Sequence, residues 1–406
     1  MPGPMDGVRV VEIGVWVAGP AAGGILADWG ADVVKIEPPT GDPARTFQRM
    51  FGADMPNNPV FELDNRSKRS IVVDLSTEAG KAVALDLIDG ADVFLTNIRP
   101  RALIRAGLDH ATLLARNARL IYAIITGYGL EGPDADRAAY DIAAFWSRSG
   151  LAHLLTSPGG DPPFQRGGMG DHSVGLSCAA AISAALFARE RTGVGQLVST
   201  SLLRQGVYTV GFDLNMMLGW GQHPQIGTRD AMANPAINNY TAGDGRRFWI
   251  VGLEGERHWP PLARAVGHAE WLADPRFATA GARAQNGRTL IALLDAVFAT
   301  KTLGEWATIF ATEPDFFWAP INTADDILAD PQLRHAGGLV DVPDEFGTTT
   351  MISSPADFHG TPWAPRWIAP RLGEHTDEVL REIGKSDEQI EGLRGAGVIT
   401  QYDGGG

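Results

Sequence analysis

The stretch that decides the fold is GVRVVEIGVWVAGPAAGGILADWGADVVKIE, residues 7–37. Its two ends, VRVVEIG at 8–14 and ADVVKIE at 31–37, are short apolar runs rich in valine and isoleucine, which is typical of buried strands. The segment between them, AAGGILADWG at 21–30, has the composition of a helix. A strand, a helix and a second strand in this order form a βαβ unit, which predicts a parallel sheet.

The same alternation continues along the first half of the chain, with further strand-like runs at 70–75, 91–97 and 120–129. It predicts a doubly wound α/β domain, in which ligands bind at the carboxyl ends of the strands. Three polar segments that carry arginine follow those ends: PPTGDPAR, TNIRPR and TGYGLEGPDADR. The dinucleotide fingerprint G-x-G-x-x-G is absent after the first strand, so we do not expect NAD to bind.

The chain of 406 residues is longer than one hydrophobic core usually supports, so we expect two domains. Residues 206–235 are rich in Met, Trp, Gly and Asn without clear periodicity and are predicted to form a linker. A hairpin and several amphipathic helices predict a small α/β domain over 236–325. The large domain is expected to combine 1–205 with the end of the chain, where 326–406 forms a return linker and the C-terminal part.

The composition of the chain limits the kinds of ligand and partner that it is expected to bind. There are 34 Lys and Arg against 48 Asp and Glu, a formal net charge of -14, which disfavours nucleic acid or an anionic membrane. The one cysteine, Cys178, is expected to be a packed, inert thiol of a cytoplasmic protein. We see neither a signal peptide nor an apolar run approaching the ~18 residues of a membrane span. The nine histidines are scattered, so no metal site is expected.

Asp171 lies between glycines in GGMGDHSVG, residues 167–175. Three interpretations are open from these residues alone. The aspartate is the N-cap of the helix that follows, a turn residue, or a nucleophile or base with space cleared around it. The basic residues near strand ends are similarly ambiguous, since they are either solvated surface charges or a site for a polyanion.

Seven segments, taken together and in this order, resemble the family III CoA-transferases, the group of the formyl-CoA and carnitine CoA-transferases. The resemblance runs nearly end to end and implies a Rossmann-like large domain made from both chain ends, a small domain, and a homodimer of two interlocked rings. The segments are residues 7–45, NRSKRSIVVDL, TNIRPRALIRAGL, TGYGLEGPDADRAAYD, GGMGDHSVG, TGVGQLVSTSLL and PRLGEHTDEVL.

The resemblance implies a catalytic role for Asp171. Its carboxylate would take the acyl group of an acyl-CoA as a mixed anhydride, become an aspartyl-CoA thioester, and pass CoA to a carboxylic acid. Backbone N–H groups of Gly168 and Gly170 are expected to stabilise oxyanions, and Val17 and Tyr140 to line the pocket. Coenzyme A is the one cofactor implied, and the residues expected to bind it are Lys35, Glu37, Lys68, Arg69, Asn97, Arg99 and Arg137.

Some features depart from the formyl-CoA transferases. Val17 replaces their glutamine, and residues 228–240 lack their glycine run, so formate and oxalate are disfavoured as substrates. The large apolar residues Trp16, Phe145 and Trp146 hint at a bulkier acyl group, although such residues are more often core.

Two other functions stay open as alternatives. An α-methylacyl-CoA racemase needs two opposed acid/base groups, but this chain has Tyr140-Asp141 where racemases have a His-Asp pair, and a tyrosine with a pKa near 10 is a poor base. The second alternative is a non-catalytic protein that binds CoA thioesters.

Overall fold

The computed structural model describes residues 3–50, 52, 58–224, 227–313 and 315–404. The chain divides into two compact units. The first contains residues 1–154, 163–223 and 332–406, and the second contains 155–162 and 224–331. The expected linker from residue 206 needs correction, because residues 202–220 form two helices of the first unit.

The strands of the described residues are short and alternate with helices over the first half of the chain. In chain order they are β1 (Arg9–Ile13), β2 (Asp32–Glu37), β3 (Arg69–Val73), β4 (Val93–Thr96), β5 (Ile121–Thr126), β6 (Gln196–Ser201), β7 (Ile237–Thr241), β8 (Arg247–Val251), β9 (Trp318–Pro320), β10 (Leu339–Asp344), β11 (Gly347–Ile352) and β12 (Ile399–Thr400).

The first unit is built on a seven-stranded sheet in the order β12-β3-β2-β1-β4-β5-β6. Every pairing is parallel except that of β12, which runs antiparallel to β3. Val10 of β1 faces Val33 of β2 on one side and Val93 of β4 on the other. The strand order reverses between β1 and β4, which opens a crevice at the carboxyl ends. This sheet confirms the predicted α/β class; β6 and β12 were not predicted.

The helices cover both faces of the sheet and fill most of the second unit. They are α1 (Ala18–Asp28), α2 (Phe47–Met50), α3 (Pro59–Asn65), α4 (Glu78–Asp89), α5 (Pro100–Ala106), α6 (His110–Arg116), α7 (Leu151–Leu154), α8 (Met169–Thr192), α9 (Leu202–Thr209), α10 (Gly211–Trp220), α11 (Gly255–Ala265), α12 (Ala280–Gln285), α13 (Gly287–Phe298), α14 (Leu303–Phe310), α15 (Ala324–Ala329), α16 (Pro331–His335), α17 (Thr376–Glu382) and α18 (Asp387–Gly395). Short 3₁₀ turns occur at Pro43–Thr46, Arg229–Ala231 and Ala269–Leu272.

Two hydrophobic clusters lie on opposite faces of the seven-stranded sheet, one packed around α1 and α8 and the other around α4, α5 and α17. The contact between α1 and α8 is close because both helices carry small residues. A Cβ added at Gly175 would lie 2.9 Å from the Cβ of Ala21. This tight crossing fixes the position of α8, whose first turn carries Asp171.

Helix α8 corrects one expectation drawn from the sequence. It has 24 residues and, within the described part of the chain, is the one helix long and apolar enough to span a membrane by length and composition. About 39% of its apolar window is buried inside the protein, and it contributes Val174, Cys178 and Ile182 to the core. Cys178 is fully buried, which raises the pKa of its thiol.

The second unit has its own core. Strand β8 pairs antiparallel with β7 and with β9, and helices α11, α13 and α14 bury aromatic side chains such as Trp259, Phe298 and Phe310 together with Phe248 of β8. Helix α14 begins with a capping box between Thr302 and Glu305, which satisfies two backbone N–H groups at its start.

Candidate active site

A cavity of about 510 Å³ opens at the carboxyl edge of the sheet, where the strand order reverses. The loops that follow β1, β4 and β5 form its walls, so it lies in the crevice that a doubly wound sheet uses for ligands. The predicted site residues that line it are Val17, Asn97, Arg99, Arg137, Tyr140 and Asp171.

Asp171 enters the cavity from the first turn of α8. The N-cap of this helix is Gly168, with φ 70°, a left-handed conformation that glycine adopts without strain. Because the helix begins at Met169, Asp171 is its third residue. The N-cap interpretation of Asp171 is therefore wrong, and its carboxylate is left to face the cavity.

The pKa of Asp171 is raised to about 7, chiefly because the carboxyl is buried. The carboxylates of Asp141 and Asp64 contribute to this rise, and the imidazole of His172 opposes it. A carboxylate that is poorly solvated is held less strongly by water and reacts more readily once it is ionised. Raised carboxyl pKa values of this kind gather at functional sites.

Asp141, whose carboxylate raises the pKa of Asp171, is held by three donors. Its Oδ2 accepts hydrogen bonds from Nε2 of Gln165 at 2.6 Å and from the backbone N–H of Gly170 at 3.3 Å, and its Oδ1 accepts from the N–H of Ile142 at 2.7 Å. The N–H of Gly170 thus donates to Asp141 in this structure, and its role toward an oxyanion stays a prediction. A Cβ at Gly170 would lie 2.5 Å from Phe145, so close packing requires glycine here.

A π-helix, Ile142–Ser147, follows Asp141. Such turns are rare and occur frequently at functional sites. It buries Phe145 and Trp146 in the core, and Trp146 Nε1 donates to the carbonyl of Pro163 at 3.2 Å. These two aromatic residues therefore do not line the cavity, which corrects their expected role toward the acyl group.

His172 pairs with a residue far away in the sequence. Its Nε2 lies 3.1 Å from Oδ1 of Asp64, whose side chain is almost fully buried. The hydrogen bond to Asp64 raises the pKa of His172, the residue next to Asp171. No local sequence pattern predicts this pair, because 108 residues separate the two positions.

Two arginines and one asparagine also line the cavity. Arg99 has no ion-pair partner among the described residues, and Arg137 lies 3.7 Å from Asp134 with its side chain 60% exposed. Asn97 is instead a structural link, since its Oδ1 accepts from the N–H of Val15 at 2.9 Å and its Nδ2 donates to the same residue's carbonyl at 2.8 Å. The two guanidinium groups are available for an anionic ligand.

Lys35 and Lys68 do not reach the cavity, contrary to the sequence expectation. Both ammonium groups are fully buried and share the carboxylate of Glu12, at 2.9 Å and 2.7 Å. Lys35 also contacts Asp42 at 2.9 Å. Because each charge is already neutralised inside the protein, neither lysine is exposed to a phosphate, and their role is to support the loop after β1.

Arg69 and Glu37 are also engaged elsewhere. Arg69 pairs with Asp32 at 2.6 Å and with Glu382 at 2.8 Å, which ties β2 and β3 to α17. Glu37 is buried and accepts bonds from Arg45, which lowers the pKa of its carboxyl against the effect of burial. Neither side chain lines the cavity, so the expectation that they contact CoA is revised.

The wall nearest β1 is apolar, formed by Val15, Trp16 and Val17. Trp16 has φ 63°, which is rare for a bulky residue. Its ring lies 6.0 Å from that of Tyr140 in an edge-to-face arrangement. Among the described residues no cluster of three or more potential metal ligands is found.

The chain matches the model of CoA-transferase family III over residues 5–376. It is 32% identical to the cinnamoyl-CoA:phenyllactate CoA-transferase of Clostridium sporogenes, over 96% of this chain and 95% of the relative. It is 34% identical to the succinate–glutarate CoA-transferase of Agrobacterium fabrum, over 94% and 96%. A CAIB/BAIF family protein from Brucella suis has a solved structure with a TM-score of 0.83 and 32% identity, covering 94% of this chain and 100% of that one.

The chain therefore belongs to CoA-transferase family III and is an enzyme of that family. This confirms the family that the sequence motifs indicated. CoA thioesters are the substrates of the family, and a cavity lined by two arginines and a carboxylate fits such a ligand.

Proposed function

We propose that this enzyme transfers CoA from an acyl-CoA to a carboxylic acid through covalent intermediates on Asp171. One observation carries the proposal: a poorly solvated carboxylate lines the same cavity as two guanidinium groups. A carboxylate at this position is placed to meet a thioester whose CoA phosphates are held by arginine.

The reaction proceeds in four balanced steps. A carboxylate oxygen of Asp171 attacks the thioester carbonyl, the C–S bond breaks, and CoA leaves as a thiolate with a mixed anhydride behind it. The thiolate then attacks the aspartyl carbonyl and releases the donor carboxylate. The acceptor carboxylate attacks the resulting aspartyl-CoA thioester, again expelling the thiolate, which finally attacks the acceptor carbonyl and restores Asp171. No proton is consumed over the cycle.

Each group of the site has a role in these steps. Arg99 and Arg137 hold the phosphates of CoA and keep the thiolate near the anhydride, so that the intermediate reacts with sulfur before water. The helix that carries Asp171 starts at the cavity, where its positive end favours negative charge during attack. Asn97 keeps the loops after β1 and β4 together and so fixes the shape of the cavity.

The substrates are an acyl-CoA donor and a carboxylic acid acceptor. The relatives named above act, by their names, on cinnamoyl-CoA with phenyllactate and on succinate with glutarate, so these four acids define the first panel. Succinyl-CoA belongs in that panel as the donor that the family resemblance suggests. Val17 in place of glutamine argues against formate and oxalate, which need polar contacts.

We also propose that the enzyme is a homodimer, with the two chains interlocked as the family resemblance implies. Helix α10 has no buried residue although it contains Phe212, Leu218 and Trp220, which are 81%, 84% and 74% exposed. Tyr208 of α9 is 82% exposed as well. An apolar surface of this kind needs a cover, and a second copy of the same chain provides one.

The experiment that tests the transfer is intact-protein mass spectrometry after incubation with the acyl-CoA panel, followed by hydroxylamine trapping. We expect a mass increase of one acyl or CoA group, which hydroxylamine converts to a hydroxamate at Asp171. Asp171→Asn is expected to abolish the adduct and the turnover while retaining CoA binding. Asp161→Asn, which removes an exposed carboxylate outside the cavity, is the matched control and should behave as wild type.

Two other results would each support one of the alternative functions. Exchange of deuterium from heavy water into an α-methylacyl-CoA, without any adduct, would replace the transferase by a racemase. Binding of CoA esters with neither signal would leave a binding protein.

A further inference from the structure

The loop after β1 holds a large side chain in a backbone conformation that disfavours it. Trp16 has φ 63°, a left-handed value that a residue with a Cβ adopts only at an energetic cost. Glycine would occupy the position without strain. Strained backbone of this kind persists where the surrounding structure determines it, and it gathers at functional sites.

A buried network imposes this conformation. The N–H of Trp16 donates to Oδ1 of Asp42 at 3.0 Å. The same carboxylate accepts from the N–H of Ala44 at 2.9 Å and lies 2.9 Å from Nζ of Lys35. Lys35 is in turn fixed by Glu12 at 2.9 Å, and the side chains of all three charged residues are at most 1% exposed. The strain at Trp16 is thus offset by ion pairs beneath the loop.

The strained backbone places the indole at the cavity that holds Asp171. Its ring packs edge-to-face against Tyr140 at 6.0 Å and against Phe47 at 5.5 Å. Val15 and Val17 extend the same wall on either side. This wall is therefore apolar apart from the phenol of Tyr140.

We propose that Trp16 selects the acyl group, and that this enzyme prefers acids with an aromatic or branched apolar body over short or dicarboxylic ones. The inference rests on the proposed function, since it concerns the acyl group that Asp171 receives. An aromatic acyl group gains both buried area and an edge-to-face contact with the indole. A second carboxylate on the acyl group would be dehydrated against this wall, where Val15, Trp16 and Val17 offer it no positive charge.

The test compares kcat/KM for 3-phenylpropanoyl-CoA, acetyl-CoA and succinyl-CoA in the wild type and three variants. We expect the wild type to favour 3-phenylpropanoyl-CoA by at least about tenfold over both others. Trp16→Gly and Trp16→Ala should each lower kcat/KM for that donor by about tenfold to a hundredfold and change the value for acetyl-CoA by less than about threefold. Trp16→Phe should retain most of the preference for 3-phenylpropanoyl-CoA.

Thermal unfolding distinguishes the effect of backbone strain at Trp16 from the effect of losing its indole ring. Trp16→Gly and Trp16→Ala remove the same indole, but alanine keeps a Cβ at positive φ, so the glycine variant should have the higher Tm. Equal Tm values, or an equal loss of activity toward all three donors, would overturn the role of Trp16. A wild type that forms the Asp171 adduct but prefers succinyl-CoA would overturn it too, with the transferase intact. A wild type that forms no adduct with any acyl-CoA would overturn the transferase itself.

Discussion

Asp171 must be ionised to attack a thioester, and its surroundings work against ionisation. Burial raises the pKa of this carboxyl to about 7, so the reactive form is lost as the pH falls through that value. We expect the single-turnover rate of adduct formation to be about half maximal near pH 7 and to fall about tenfold per pH unit below it. Rapid quenching across pH 5 to 8.5, followed by mass spectrometry, measures that rate.

The matched variant for this pH dependence is Asp141→Asn, which removes the carboxylate that, of the two, raises the pKa of Asp171 more. It keeps the acceptor oxygen for the N–H of Gly170. The pH at which adduct formation is half maximal should be lower in this variant than in the wild type. A rate that stays constant from pH 8 to pH 5 in the wild type would contradict an attacking carboxylate with a raised pKa.

The same raised pKa makes Asp171 a cost to stability. The unfolded carboxyl has a pKa near 3.8 and the folded one a pKa of about 7, so the cost is absent below pH 3.8, grows as the pH rises and is complete above pH 7. Asp171→Asn should therefore stabilise the fold by about 1–2 kcal/mol at pH 8 and by little at pH 4.5, a figure discounted because the side chain is half-buried. Urea unfolding at the two pH values checks this, and equal gains would contradict it.

The loops after β4 and β5 carry the positive charge of the site. Removing either guanidinium group, by Arg99→Gln or Arg137→Gln, should raise KM for the CoA ester about tenfold to a hundredfold, as expected for the loss of about 1.5–3 kcal/mol from a charged hydrogen bond. The effect should shrink in high salt. Arg105→Gln is the control, because this exposed arginine lies on α5 as well but outside the cavity. An equal effect in all three variants would show a general rather than a local attraction.

Beneath the loop after β1, the carboxylate of Glu12 is shared by two buried lysines. Its pKa is lowered although burial opposes this, because Lys35 and Lys68 both attract the ionised form. Lys68→Met should destabilise the protein by about 3–5 kcal/mol, since it leaves the buried carboxylates of Glu12 and Asp42 to share the single charge of Lys35. The double variant Glu12→Gln with Lys68→Met should lose less than the sum of the two single variants. Denaturant unfolding measures these losses, and KM for the CoA ester should stay unchanged in Lys68→Met if the lysine is structural.

Local patterns predicted the strands well and the side-chain environments poorly. The apolar runs around Val10, Val33 and Val93 marked β1, β2 and β4, because strands buried on both faces are hydrophobic throughout. Strand β6 was missed because QLVSTS is half polar and follows a glycine turn, so that only its pairing with β5 makes it a strand.

The residues of the candidate site were predicted from the family resemblance, because the local pattern alone left the roles of Asp171 and of the arginines open. Asp171, Arg99 and Arg137 line one cavity. The burial of Lys35 and Lys68 depends on their ion pairs with Glu12, which lies 23 residues before Lys35 and 56 residues before Lys68. No local pattern tells a lysine in a buried ion pair from one that awaits a phosphate, and the pairing of His172 with Asp64 is equally remote.

For the whole molecule, the exposed apolar surface of α9 and α10 makes a prediction about assembly. Tyr208, Phe212, Leu218 and Trp220 together expose far more aromatic and aliphatic surface than single scattered residues do. Aromatic residues of this kind contribute most of the binding energy at interfaces, often ~2 kcal/mol or more each. We expect light scattering after gel filtration to give about twice the chain mass of 43.3 kDa.

Phe212→Ser combined with Trp220→Ser should shift that mass toward a single chain, or lower the yield of folded protein if the two chains can fold only together. The control is Phe346→Ser, which removes a ring that is 90% exposed but lies in the turn between β10 and β11. It should leave the mass and the yield unchanged. A wild type that elutes at the mass of one chain at micromolar concentration would contradict the dimer, and the surface of α9 and α10 would then need another partner.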